Sequence, residues 1–257
     1  MEIKQRDTVD ILGVKIDVIN PAESILSIQN WIEKRKSVYI CVAPVSTVVS
    51  CYYDKDYLKV VNSADMVTPD GMPLVWIAKS RGFKNIARTY GPELMESLCC
   101  SGRYRHFFYG GTGECLNRLE NKLKQRNPQM NISGRISPPF YEQSEAELRL
   151  DIEKINSVKP DILWVGLGSP KQDFWMHKNR DKLDVPVIIG VGAAFDFLSG
   201  MKKQAPSWVR RSGLEWLFRL CAEPRRLWRR YLIGNTLFLF LLIKENLKPK
   251  RSTDLPI

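Results

Sequence analysis

Two short stretches of the sequence combine residue types that can bind an anion or move a proton. In Gly166-Leu167-Gly168-Ser169-Pro170-Lys171-Gln172, Gly166 and Gly168 let the backbone approach a ligand closely. Ser169 and Pro170 have the types of an N-cap and a first helical residue, which predicts free N–H groups and a positive helix end facing outward. Lys171 and Gln172 follow in the first turn, and the Gln172 amide both donates and accepts, which suits a diphosphate or a ribose hydroxyl. A tight turn without ligand has the same pattern. In Asp65-Met66-Val67-Thr68-Pro69-Asp70-Gly71, Asp70 stands between Pro and Gly after a short apolar run. That predicts a loop at a strand end, where a general base reaches an acceptor hydroxyl. A turn-forming Asp is the other reading.

Asp54-Lys55-Asp56 matches the D-x-D pattern with which many sugar-nucleotide transferases hold a divalent metal. Here it falls within a predicted helix, Tyr52 to Val61, with no glycine turn or strand end beside it, and reads as solvated surface. Without metal, a leaving diphosphate needs another source of positive charge. The C-terminal stretch offers one. From Met201 to Ile257 there are 13 Lys and Arg against Glu215, Glu223, Glu245 and Asp254, which accounts for +9 of the net +11. Such a segment implies an anionic partner: nucleic acid, anionic lipid or a phosphate-bearing substrate. Leu214, Leu217, Cys221, Trp228 and Tyr231 recur at helical spacing with arginines between them, a pattern suited to phosphate contact and to an interfacial helix on anionic lipid. Pro224 predicts a break into two helices. Tyr231 to Ile243, followed by Lys244, Lys248, Lys250 and Arg251, predicts an apolar helix with basic ends.

The elements that must position these residues are legible as alternation. Val9 to Val18 reads as short apolar runs around Gly13, a strand leading to a helix that starts at Asn20-Pro21-Ala22-Glu23 and runs through Trp31. Val38 to Val42 is a β-branched strand followed by a helical stretch to Val61. Three further segments have the form strand, glycine turn, helix. They are His106–Tyr109 with Gly110-Gly111-Thr112-Gly113, Asp161–Val165 with Gly166–Pro170, and Val185–Ile189 with Gly190-Val191-Gly192. Continuous apolar strands alternating with helices predict an α/β fold, a Rossmann-like and mostly parallel sheet covered on both faces. Ligands in such sheets bind at the carboxyl ends of the strands, where the glycine turns must lie. None has the full G-x-G-x-x-G dinucleotide fingerprint. A boundary is predicted near 201–207, giving a sheet domain over 1–200 and a helical basic appendage over 201–257.

The six cysteines form no C-x-x-C pair and only two histidines accompany them, so neither a zinc site nor a disulfide framework is expected. The N-terminus lacks the apolar core of a signal peptide, and the longest apolar stretch, Leu237 to Ile243, is far shorter than a spanning helix.

Together these motifs resemble the WecG/TagA/CpsF glycosyltransferases, glycosyltransferase family 26, from about Asp10 to Phe240. The resemblance is carried by Asn62-Ser63-Ala64-Asp65, Thr68-Pro69-Asp70-Gly71, Tyr90-Gly91-Pro92-Glu93-Leu94-Met95, Gly110-Gly111 and Val165–Gln172. Gly190–Phe197, Ala205-Pro206, Leu214-Glu215-Trp216 and Glu223–Tyr231 complete it. It implies an inverting, metal-independent transferase without cofactor, which moves a sugar from a UDP-sugar donor to a polyprenyl-diphosphate-linked acceptor. The reaction would occur at the cytoplasmic membrane face, feeding teichoic acid, common-antigen, capsule or exopolysaccharide synthesis. Asp70 is implied as catalytic base, and Gln172 as a substrate contact with Gly166, Gly168, Ser169, Lys171 and Gly192 around it. Arg88 matches an active-site arginine, and Arg219, Arg226 and Arg229 match arginines of an appendage that folds over the site and contacts the membrane. One departure stands out. Val42-Ala43-Pro44-Val45 replaces a segment that usually carries Thr or Asn, leaving Ser46 and Thr47 as the nearest hydroxyls. Two other readings remain: a basic nucleic-acid-binding protein, though no nucleic-acid motif is present, and a non-catalytic UDP-sugar-binding regulator.

Overall fold

The computed structural model describes residues 7–247. Its centre is a six-stranded, wholly parallel sheet. In chain order the strands are β3 (Val38–Ala43), β4 (Met66–Pro69), β5 (Arg105–Gly110), β6 (Asn131–Ile136), β7 (Ile162–Gly166) and β8 (Val187–Gly190). Across the sheet they run β4-β3-β8-β7-β5-β6. The continuous apolar runs follow from burial on two faces. Tyr39, Cys41, Phe107, Tyr109, Leu163, Val165 and Ile188 enter one core, while Val38, Ile40, Phe108, Ile162, Trp164, Val187 and Ile189 enter the other. Alternate residues of a strand point to opposite faces, so a strand covered on both sides must be apolar throughout.

The opening segment differs from the expectation. It is an antiparallel hairpin, β1 (Thr8–Ile11) with β2 (Val14–Asp17), turned through Leu12 and Gly13 at φ 55° and 90°. Two successive left-handed residues make the tight turn, but the first is Leu rather than the Asn or Asp that marks such turns in sequence. The helix start is as expected: α1 (Pro21–Glu33) has a capping box in which Asn20 Oδ1 accepts from Glu23 N at 3.0 Å and Glu23 Oε2 accepts from Asn20 N at 3.3 Å. The stretch after β3 is two helices, α2 (Val45–Tyr53) and α3 (Lys55–Asn62). Asp54 divides them, and its Oδ1 accepts from Asp56 N at 3.0 Å and Tyr57 N at 2.9 Å. The D-x-D pattern is thus a helix cap followed by an exposed acid paired with Lys59.

Helices α4 (Met72–Ser80) and α5 (Gly91–Cys100) follow β4, α6 (Gly113–Arg126) follows β5, and α7 (Glu145–Ser157) follows β6. Helix α8 (Lys171–Asn179) follows β7, and α9 (Ala194–Leu198) follows β8. Beyond Gly200 come α10 (Ser207–Arg211), α11 (Glu215–Ala222), α12 (Pro224–Trp228), a π-helical turn (Arg229–Ile233) and α13 (Gly234–Asn246). The break at Pro224 is as expected. The apolar stretch begins its α-helix three residues later than expected, after the π turn. Phe238 and Leu241 of α13 are buried in the core beside α2, whereas Leu239, Phe240 and Ile243 are exposed. No helix among the described residues is long and apolar enough to cross a membrane. Lys248, Lys250 and Arg251, and the N-terminal six residues, lie outside the described residues.

Candidate active site

A parallel sheet brings all its strand ends to one edge, and the loops leaving β3, β4, β5, β7 and β8 surround a cavity of about 960 Å³ there. Val42–Val45 contributes no polar side chain, as its sequence implies, and Ser46 brings the first hydroxyl after it to the cavity wall. Asp70 leaves β4, Gly111 and Thr112 leave β5, Gly166–Gln172 leave β7, and Val191–Phe197 leave β8; all of these except Pro170 line the cavity. The residues after Gly200 form its roof, through Glu215, Trp216, Arg219, Arg226, Arg230 and Tyr231 together with part of α13.

Asp70 is fixed by its backbone and by one arginine. Its N–H donates to the Ala43 carbonyl at 3.0 Å, continuing the β3–β4 ladder by one residue. Arg88 Nε donates to the Asp70 carbonyl, and Arg88 Nη2 donates to Asp70 Oδ1 at 3.2 Å. The same Nη2 reaches Glu215 Oε2 at 2.6 Å, and Nη1 donates to the Arg210 carbonyl at 3.3 Å. The Arg88 guanidinium also lies 4.3 Å from the centre of the Tyr90 ring. The side chains of Asp70, Arg88 and Glu215 are 22%, 15% and 9% exposed, which leaves the carboxylate of Asp70 the most open to a ligand. Burial pushes the Asp70 carboxyl above the usual carboxylate range, against the pull of Arg88, and the Glu215 charge adds to the rise.

Gln172 is 1% exposed. Its Oε1 accepts from Gly192 N at 2.9 Å and its Nε2 donates to Ser169 Oγ at 3.3 Å. It therefore ties the β7 turn to the β8 turn, where Gly168 and Gly192 adopt φ 78° and 53°. Helix α8 begins at Lys171, as expected, but Pro170 rather than Ser169 stands at the N-cap and no side chain caps the helix. Its first turn closes on itself, with Gln172 N donating to Gly168 O at 2.9 Å and Asp173 N to Pro170 O at 3.0 Å. Those two N–H groups are not free for an anion. Beneath them lies Asp173, a buried carboxyl that accepts from Tyr57 Oη at 2.6 Å and whose pKa burial raises.

The basic segment divides its arginines. Arg219 and Arg226 line the cavity, with Arg219 5.1 Å from the centre of the Phe197 ring and Arg226 paired to Glu223 at 2.5 and 2.7 Å. Arg229 does not line it; its guanidinium lies 5.2 Å from the Trp228 ring centre on an exposed face. Its neighbour Arg230 takes the inward place and donates to Ser46 Oγ from Nε at 3.1 Å and from Nη2 at 2.7 Å. Consecutive helical residues point roughly 100° apart, so only one of the pair can face in. Glu215 and Arg230 were not singled out by sequence reasoning. Glu215 had two usable signals, as an acid within a basic, aromatic-rich segment and as part of the Leu214-Glu215-Trp216 motif.

The sequence pattern of the glycosyl transferase WecG/TagA/CpsF family matches residues 9–252. Among curated proteins, an N-acetylglucosaminyldiphosphoundecaprenol N-acetyl-beta-D-mannosaminyltransferase of Bacillus spizizenii is 32% identical over 205 residues, covering 79% of this chain and 77% of the relative. The identically named protein of Bacillus subtilis is 28% identical over 233 residues, 88% and 89% of the two chains. That of Staphylococcus aureus is 26% identical over 260 residues, 98% and 100%. With a family match over nearly its whole length and a cavity where such sheets bind ligands, the chain belongs to the WecG/TagA/CpsF family and is a glycosyltransferase.

Proposed function

We propose that the protein moves a sugar from a UDP carrier to a polyprenyl-diphosphate-linked saccharide, in one displacement that inverts the anomeric carbon. The names of the three relatives make N-acetylmannosamine the first sugar to test and N-acetylglucosaminyl-diphospho-lipid the first acceptor. The observation that carries this reading is Asp70, a carboxylate at a strand end, open to the cavity and beneath a roof of arginines. Asp70 takes the proton of the acceptor hydroxyl as its oxygen bonds to the anomeric carbon. The bond to the diphosphate breaks, and UDP departs with the electron pair. Arg219, Arg226, Arg230 and Lys171 around the cavity supply positive charge for the departing diphosphate, so no metal is required. Gln172 holds Gly168 and Gly192 in place as the floor against which the donor rests.

Residues 1–200 serve in this reading as the catalytic body, and 201–257 as an appendage that completes the site and contacts the cytoplasmic membrane face. Exposed Trp208, Trp228, Leu232, Ile233, Leu239 and Phe240 support that contact, with arginines among them for anionic headgroups, Arg229 included. Asp70→Asn keeps the shape and removes the base. Turnover of UDP-N-acetylmannosamine with a short-chain lipid acceptor is expected to fall by at least about 10²-fold. An Asp70→Asn protein with full turnover overturns the assignment, and a wild-type protein that binds UDP-sugars but transfers none to any lipid-linked acceptor overturns the reaction.

A further inference from the structure

We propose that Glu215 is a positioning residue that sets the basicity of Asp70 by dividing the Arg88 guanidinium between the roof and the sheet. The inference rests on the reading of Asp70 as the base. An arginine beside a single carboxylate settles into a two-point fork, engaging both oxygens and holding their negative charge. Here Arg88 does not. Its Nη2 sits at 2.6 Å from Glu215 and 3.2 Å from Asp70 Oδ1, its Nε is spent on the Asp70 carbonyl, and Nη1 is spent on the Arg210 carbonyl. Every other bond that turns Arg88 away from the Asp70 carboxylate comes from the backbone, and two of the four contacts, those to Glu215 and Arg210, come from the roof. The result is one long bond to one oxygen of Asp70, with the other oxygen unbonded by Arg88.

Charge and shape agree. The groups facing Asp70 are Arg88 and Tyr90 from the segment before α5, Glu215 and Arg219 from α11, and Arg230 and Tyr231 from the π turn. Among these Glu215 alone is acidic at neutral pH. It neutralises part of the surrounding positive charge, and so keeps Asp70 a stronger proton acceptor than three arginines would allow. With the roof lifted, Arg88 loses Glu215 and the Arg210 carbonyl together and is free to fork onto Asp70. Docking of the roof thereby releases the base as well as closing the cavity.

The test uses the full-length protein, with UDP-N-acetylmannosamine and a short-chain N-acetylglucosaminyl-diphospho-lipid. A base acts when deprotonated, so activity rises with pH through the Asp70 pKa. Glu215→Gln keeps the shape and removes the charge. The acid limb of kcat/KM is expected to move down by about one pH unit, and plateau kcat to fall about tenfold, while KM for the donor stays within about twofold. Glu215→Asp retains the charge one methylene further away; its acid limb is expected to stay at the wild-type pH with a smaller loss of kcat, and this variant carries the test if Glu215→Gln does not fold. An unmoved limb in Glu215→Gln overturns the proposal, as does a raised KM with unchanged kcat, the signature of a roof that merely docks poorly. A Glu215→Asp limb displaced by about one pH unit from wild type does so too, whether or not Glu215→Gln folds. Asp70→Asn separates the two readings: if it stays active the base assignment fails, and if it is inactive while Glu215→Gln behaves as wild type, this inference alone fails.

Discussion

A Cβ on Gly190 would stand 2.6 Å from Met176 Cε and 2.8 Å from Gln172 Nε2. Both side chains are buried, so Gly190→Ala forces Met176 Cε and the Gln172 amide to shift, and the shift strains the bond from Gly192 N to Gln172 Oε1. We expect about 1–3 kcal/mol of destabilisation, read by thermal melting, with a loss of turnover larger than the melting shift accounts for. His106 gives a second test. It is fully buried, its Nδ1 accepts from Trp164 Nε1 at 3.1 Å, its Nε2 has no partner, and burial lowers its pKa from 6.5 to about 4. The fold favours the neutral ring, so its stabilisation is complete above pH 6.5 and is lost as pH falls towards 4. The loss is roughly 3 kcal/mol, and a His106→Gln protein should show a shallower fall of Tm across that window. Asp70 and Gln172 were legible because each sits in a short motif beside a strand end, whereas Arg88, in the segment between α4 and α5, was reached through the family resemblance. Glu215 and Arg230 were not legible, because what makes them part of the site is a fold-back that brings residues more than a hundred positions away against β3 and β4.

At the scale of elements, the strand, glycine turn and helix units at β5, β7 and β8 were readable, since a strand buried on both faces leaves a continuous apolar run. Less apolar elements were harder. Strand β6 is only half-buried at an edge of the sheet, and its Asn131-Ile132-Ser133-Gly134 gives no apolar run, although a capping box at Ser144 and Glu147 marks the helix after it. The order of residues in the π turn decides which arginine faces the cavity. Arg230→Ala removes two hydrogen bonds to Ser46 and a cation from the cavity wall, so kcat/KM is expected to fall by about 10–100-fold, as for other contacts to a charged group. Arg229→Ala should leave turnover on a water-soluble acceptor within about twofold and weaken binding to anionic vesicles. Side-by-side kinetics and vesicle sedimentation check the pair, and equal losses of kcat/KM would put both arginines at the substrate.

Across the whole molecule, the basic excess read from composition is not a uniformly solvated tail, since Arg219, Arg226 and Arg230 face a cavity. Composition cannot make that distinction, because it carries no direction. The same segment also supplies core: Val209, Leu227, Phe238 and Leu241 are buried. Removal of residues 201–257 is therefore expected to abolish turnover and also to lower Tm by uncovering α2, and circular dichroism with melting would separate these effects. A truncated protein that turns over normally would refute the role given to the roof. The order in which these parts are made adds one consequence. Translation produces the strand ends first and Glu215, Arg219 and Arg230 afterwards, and chains fold from the N-terminal side as they emerge. A chain still being synthesised thus has an open cavity with an incomplete wall. On the proposed reading, in which the roof completes the site, turnover waits until α11 and the π turn have emerged and folded back.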